Sequence, residues 1–445
     1  MNDPSTHPLT RRQILTATAG ALAAAPVLAA FQPQHQGHVP PPSPTPTPPP
    51  PPAFPPIETA SPTAATAQGA LPYTPVVMPN TPTLPFEMDN GVKVFRLVAE
   101  PVQREFAPGV VVNCWGYNGQ SPGPMIEAVE GDRIRLLVTN NLPEGIHTTI
   151  HWHGILLPNG MDGVGGLTQK HIRNGETFKY EFTLRQHGTY MYHPHFDEMF
   201  QMGLGLMGMF VVHPRDSAVR RVDRDFAILL NEWLVKPGSA TPDPTEMTNF
   251  NLFTFNGRMF PGTSPLVARL GERVRIRIGN LSMTNAHPIH LHGYSFNVTG
   301  TDGGPIRESA QWPEVTTNVP TGAARDIEFI ADAEGDWAFH CHKVHHLMNG
   351  MGHNLPLNLG VKQDDLAARL AKRIPGYMAM PASMSGMMDM GRPPNTIGSA
   401  WPGPFDEIDA GGMFTVVKVR RDITSYDDPG WYQHPEGTVA GPVEG

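Results

Sequence analysis

Four His-x-His pairs stand in this chain of 445 residues: His151/His153, His193/His195, His290/His292 and His340/His342. Its 20 histidines, scattered at random, would make about one such pair. In a strand, residues i and i+2 share a face, so each pair offers two imidazoles to one point in space. A lone buried histidine is more often a satisfied core residue, but four pairs of neutral imidazoles point to bound metal such as copper, zinc or iron. The last pair brackets one of only 2 cysteines, in His340-Cys341-His342, and is followed by His346 and Met351. With His340 and His342 on one face, Cys341 faces the other way and needs a metal of its own. His287, Cys341, His346 and a weak axial Met351 form the donor set of a blue-copper site. Zinc would accept the cysteine and histidines but gains little from a thioether.

The elements that must hold these groups are short strands. Arg133-Ile134-Arg135-Leu136, Phe178 to Phe182 and Arg273 to Ile278 alternate with period two, and glycine, proline and asparagine clusters separate them. The pattern predicts an all-β fold of antiparallel sandwiches. The chain also repeats itself. Gly131-Asp132-Arg133 leads to His151-Trp152-His153 as Gly271-Glu272-Arg273 leads to His290-Leu291-His292. Tyr190 to His195 is matched by Trp337 to His342, and Gly208 to Val212 by Gly412 to Val416. Two copies of one sandwich follow, at 77–215 and 216–425, with a tail at 426–445. From the last histidine to the closing strand is 13 positions in copy one but 70 in copy two, so copy two carries an insertion of 57 residues, about 353–410. A helix is expected near Lys362 to Arg373, followed by Met378, Met380, Met384, Met387, Met388 and Met390.

The motifs HWHG at 151, HPH at 193, HPIHLHG at 287 and HCHKVHHLMNGM at 340 resemble those of the multicopper oxidases, the family of laccases, ascorbate oxidase and bacterial cuprous oxidases. The resemblance runs in order from about Cys114 to Met351. It implies two cupredoxin-like Greek-key β-sandwiches and four coppers per chain. His287, Cys341, His346 and Met351 would hold type 1, and His151 and His290 type 2. His153, His193, His195, His292, His340 and His342 would hold the type 3 pair. It also implies electron collection at Cys341 and four-electron reduction of O2 to water. Asp162 matches the family's proton-relay carboxylate in spacing, although an Asp-Gly pair is also an ordinary turn. Where cuprous oxidases of the family carry a glutamate after the type 1 histidine, this chain has Leu347, leaving Asp197 and Glu198 as substitute proton donors. Copy one has no blue site: Pro194, Met199 and Leu204 stand at the positions of Cys341, His346 and Met351. Cys114 reads as a buried free thiol.

Only 92 positions separate His195 from His287, too few for the third sandwich of full-length members. The chain thus resembles two-domain laccases, which implies a homotrimer with three-copper clusters between subunits. The reducing substrate is a phenol, an aromatic amine or Cu(I). The methionines past Met351 suit Cu(I) as soft ligands, or are a flap in which methionine only fills space. A copper nitrite reductase, with its blue site in domain one, and a non-catalytic copper-binding cupredoxin, with no use for four His-x-His pairs, are the rival readings.

Composition excludes other classes. A net charge of -9 without a basic run argues against nucleic acid or an anionic membrane surface. Two cysteines make no disulfide scaffold. Thr10-Arg11-Arg12-Gln13 before an alanine-rich run to Ala30 resembles a twin-arginine export signal at 1–30, predicting a periplasmic or extracellular protein. A retained anchor is the alternative, but the run is short for a membrane span. Of the 49 prolines, 19 lie between Phe31 and Pro85, so 31–76 reads as a polyproline spacer that could also dock an aromatic groove.

Overall fold

A computed structural model describes residues 73–216, 219, 221–236, 239–349 and 400–443. The export signal, most of the proline-rich spacer, Met351, the expected helix and Met378 to Met390 lie outside the described residues.

The described chain folds as two cupredoxin-like β-sandwiches. In the first, one sheet runs β2 (Phe86–Asp89), β3 (Val92–Ala107), β6 (Arg133–Asn140), β8 (Thr177–Thr183), with β4 (Val110–Tyr117) paired to β3. Its facing sheet runs β5 (Ile126–Val129), β10 (Gly208–His213), β9 (Gly188–His193), β7 (His151–His153). In the second, one sheet runs β1 (Val76–Val77), β11 (Arg224–Trp233), β14 (Arg273–Asn280), β20 (Ala324–Ile330), β16 (Phe296–Thr301), β17 (Gly304–Pro305). Off that path β12 (Leu252–Phe255) pairs with β11 and β18 (Trp312–Glu314) with β16. The other sheet runs β13 (Leu266–Arg269), β24 (Phe414–Arg420), β21 (Gly335–Cys341), β15 (His287–Leu291), β19 (Thr316–Val319). A hairpin of β22 (Ala400–Pro402) and β23 (Glu407–Asp409) precedes the closing strand. Two short helices, α1 (Glu198–Gly203) and α2 (Val344–Met348), follow the second His-x-His motif of each copy.

Alternation builds each core. In β6, Ile134, Leu136 and Val138 turn inward against Phe95, Trp152, Tyr180 and Phe210. In β14, Val274, Ile276 and Ile278 do the same against Phe296, Ile327 and Phe339. Each such side chain contributes about 1.5–3 kcal/mol by leaving water. The opposite face of β14 is not wet: Arg275 and Arg277 are 6% and 3% exposed. Arg277 donates to both Asp225 oxygens at 2.8 and 2.9 Å and to Thr189 Oγ1 of the first sandwich at 2.9 Å, while Arg275 pairs with Asp225 and Glu328. Beside this network Met78, Met125, Met191, Met202, Met207 and Met209 pack with Ala227, Leu229 and Leu281, so a methionine-rich seam joins the sandwiches. Thioether chains fill irregular gaps between two separately shaped surfaces better than branched ones do.

The closing strands repeat, but three residues out of the expected register. Phe210 pairs with Tyr190 and Ile126; the residue that pairs with Trp337 and Leu266 is Val417, not Phe414. The segment before it serves α2 instead. Gly411 and Gly412 donate to Leu347 O at 3.0 and 2.8 Å, and Met413 donates to His346 O at 3.0 Å. The last carbonyls of a helix have no partners within it, and these amides supply them.

Candidate metal centre

Cys341 ends β21, His287 opens β15 two strands over from β24, and His346 projects from α2. All three are buried, at 0%, 0% and 1% exposure. Cys341 Sγ lies 3.7 Å from both His287 Nδ1 and His346 Nδ1, which are 3.0 Å apart. Ser282 Oγ meets His287 Nε2 at 2.7 Å, and Phe253 stacks on His346 with ring centroids 4.0 Å apart. Burial, with Lys343 and neighbouring imidazoles, holds His287 far below its usual range and His346 at about 3. Burial pushes the Cys341 thiol up to about 12. Neutral imidazoles and a thiol that only a bound cation would deprotonate are the chemistry copper takes. A triangle of Nδ1, Nδ1 and Sγ fits that ion.

The His-x-His pairs form two groups of four. In the first, His153 Nδ1 faces His193 Nε2 at 3.3 Å, and the rings of His193 and His195 flank His151 at 5.3 and 5.6 Å. In the second, His292 Nε2 faces His340 Nε2 at 3.0 Å, and the ring of His290 lies 5.3 Å from that of His342. Carbonyls set the tautomers. His151 Nδ1 donates to Asp162 O (2.8 Å), His193 Nδ1 to Pro194 O (2.8 Å), His290 Nδ1 to Val315 O (2.7 Å) and His340 Nδ1 to Cys341 O (2.9 Å). Each bond leaves Nε2 as the free donor atom for a metal, the usual outer-shell arrangement. Burial, with neighbouring histidines, lowers His153, His292 and His340, and takes His193 to about 3.

Among the described residues no hydrogen bond or ring contact joins the two groups, and no set of three close donors mixes them. Within a single chain the eight imidazoles therefore lie in two separate groups. Both groups are open: His292 and His342 are exposed, and His195 is 39% exposed at its side chain. Apolar side chains stand in the water nearby. Leu167 (80%) stands two residues after Gly165, whose amide donates to His195 O, and Val315 (51%) carries the carbonyl that His290 uses.

Asp162 lies beside the first group, its Oδ1 3.5 Å from His151 Nδ1 in addition to the carbonyl bond. Glu198 reaches the same group, with Oε1 3.3 Å from His193 Nδ1 and Oε2 4.0 Å from His195 Nε2, whereas Asp197 is exposed. In copy one, Thr148 Oγ1 donates to Gln201 Oε1 at 2.6 Å; Pro194 and Leu204 are buried, while Met199 is 52% exposed. Cys114 is a buried free thiol, raised by burial to about 12. Ser282 and Phe253 carry no motif in the sequence; only the fold sets them against the histidines.

The multicopper oxidase sequence family matches residues 99–217 and again 236–358, more than half of the chain in total. The chain belongs to the multicopper oxidase family, whose cofactor is copper. It is 34% identical over 230 residues to multicopper oxidase MmcO of Mycobacterium tuberculosis, covering 44% of either protein. It is 31% identical over 268 residues to copper resistance protein A of Escherichia coli, covering 49% of this chain and 43% of that one. It spans less than half the length of these relatives. A multi-copper oxidase from Pseudomonas thermotolerans superposes with TM-score 0.51 at 32% identity, over 56% of this chain and 60% of the other. Blue copper oxidase from Nitrosomonas europaea shares the fold, with TM-score 0.55 at 23% identity over 76% and 91%.

Proposed function

We propose that this chain is an oxidase that couples one-electron oxidation of a reducing substrate to four-electron reduction of O2 to water. The observation that carries the reading is Cys341, buried with His287 and His346 on one side of a strand whose flanking His340 and His342 belong to an open histidine group. When bound, copper supplies the single-electron steps at the thiolate and the O2 reduction at a three-metal cluster. The residues supply the rest. Met351 completes the type 1 set of His287, Cys341 and His346; His151 and His290 serve type 2; His153, His193, His195, His292, His340 and His342 serve the type 3 pair. The backbone joins Cys341 to both neighbouring histidines and so offers the shortest route for an electron. Asp162 stands where it can pass protons to the first group.

The split between the histidine groups supports a homotrimer in which units 77–215 and 216–425 of neighbouring subunits meet, each open group covering another's. Exposed Leu167 and Val315 fit such a contact. Export by the twin-arginine route to the periplasm or beyond accords with copper loading before transport. Among the described residues no helix is long and apolar enough to cross a membrane.

Cu(I) is the substrate we favour over a phenol or aromatic amine, because Met378, Met380, Met384, Met387, Met388 and Met390 follow the type 1 set in sequence and thioethers suit Cu(I). The kinship with copper resistance protein A agrees. Oxygen uptake by copper-loaded protein, with Cu(I) or a bulky phenol, decides the matter. Loss of Cu(I) turnover with a gain in phenol turnover is expected when residues 378–390 are removed. No oxygen uptake with either substrate would leave a copper-binding cupredoxin.

A further inference from the structure

Glu232 lies on β11, 1% exposed, beneath the loop that delivers His287. Its Oε1 accepts from Thr284 N (2.8 Å), Asn285 N (3.0 Å) and Thr284 Oγ1 (3.2 Å), and its Oε2 from Asn285 Nδ2 (2.7 Å). Three of these partners, Thr284 N, Asn285 N and Asn285 Nδ2, can only donate, which favours the ionised carboxylate as their acceptor. Burial raises its carboxyl, and these same bonds pull the other way. Asn285 Oδ1 faces elsewhere and accepts from Lys343 Nζ at 3.0 Å. Lys343 sits between His342 and the helix that carries His346. One asparagine therefore bridges a carboxylate on the His287 side to an ammonium on the Cys341 side.

The repeat contains its own control. Asn140 and Asn280 hold equivalent loops ahead of the two histidine strands. Asn140 accepts from Leu142 N at 3.0 Å and donates to Ile146 O at 2.9 Å; Asn280 accepts from Ser282 N at 2.8 Å and donates to Asn285 O at 2.9 Å. In copy one the further support is neutral: Gln201 donates to His147 O at 2.8 Å and accepts from Thr148 Oγ1 at 2.6 Å. A neutral amide is thus enough to hold such a loop. The charged pair occurs in the copy in which a buried cysteine, Cys341, meets two histidines, where a bound metal would change charge at each turnover.

We propose that Glu232 and Lys343, bridged by Asn285, are positioning residues that fix the His287 loop and set the reduction potential of the metal at Cys341. The inference rests on the reading that copper occupies His287, Cys341 and His346. A nearby anion stabilises the oxidised ion and lowers its potential, while a nearby cation favours the reduced ion and raises it.

The test is potentiometric titration of the blue absorption in copper-loaded full-length protein at neutral pH. Glu232→Gln should move the midpoint up, Lys343→Gln should move it down, and the double variant should return toward the parent. A merely structural role would weaken the blue band without opposite shifts. Shifts of one sign, or none, with the blue band retained overturn the proposal. If Glu232→Gln fails to load copper, half-buried Lys343 decides alone: an unchanged midpoint in Lys343→Gln overturns it. If the parent protein never turns blue, it is the reading of the copper site that fails, and not the clamp.

Discussion

Gly163 follows Asp162, whose carbonyl pins His151, and sits at φ +88° with its Cα pressed against the histidine strand. A Cβ there would lie 1.6 Å from Ile150 O and 3.1 Å from His151 Cα. To regain even a 3.0 Å contact with Ile150 O, the turn in Gly163→Ala must retreat by about 1.4 Å. The left-handed conformation adds a strain of about 1–2 kcal/mol. A retreat of that size stretches the 2.8 Å bond from His151 Nδ1 to Asp162 O beyond any useful hydrogen bond. Loss of such an outer-shell partner costs about 10–100-fold in metal affinity, which is about 1.4–2.7 kcal/mol. Copper retained per chain during dialysis against a graded chelator, with the type 2 resonance followed by electron spin resonance, measures the effect. Gly175→Ala is the control: φ is +78° but nothing lies within 4 Å of its added Cβ. It should lower stability and leave copper alone. Type 2 copper held as tightly by Gly163→Ala as by the parent would refute the reasoning.

Two further outcomes are expected. Burial alone would raise Asp225, but Arg277 and Arg275 overcome it and hold its carboxyl below the usual aspartate range. The stability this adds is complete above the unfolded value of about 3.9 and is lost as pH falls through the lower folded value. Asp225→Asn should therefore lose about 3–5 kcal/mol at neutral pH and flatten the acid limb of the melting curve; calorimetry between neutral pH and pH of about 3 checks both. Leu167→Glu, at an 80% exposed position, should change the stability of an isolated chain by less than about 0.5 kcal/mol. In the proposed ring it buries a charge, so light scattering should show dissociation; an intact trimer would count against that interface.

Much of the site was legible because its chemistry has a period. Histidines two apart must share a strand face, so the pairing of His151 with His153 and of His340 with His342, and the opposite aim of Cys341, followed from β-geometry alone. The match of Gly208 with Gly412 misled for a related reason. Two similar strings suggested one register, but hydrogen bonding to α2 took Gly411, Gly412 and Met413 out of the strand and left Val417 opposite Trp337.

The sequence by itself determined the all-β class, the two copies and the residue types offered as metal donors. These follow from residue identity and local spacing, which act over a few bonds. Only the tertiary structure decided what lies far apart in sequence and close in space. It brings His287 to Cys341 from a neighbouring strand, sets Glu232 under a loop more than fifty residues away, and ties buried Arg277 to Thr189 of the other sandwich. It also keeps the two histidine groups apart within one chain. Alternation tells which side chains share a face, but what covers that face depends on how separate sheets pack.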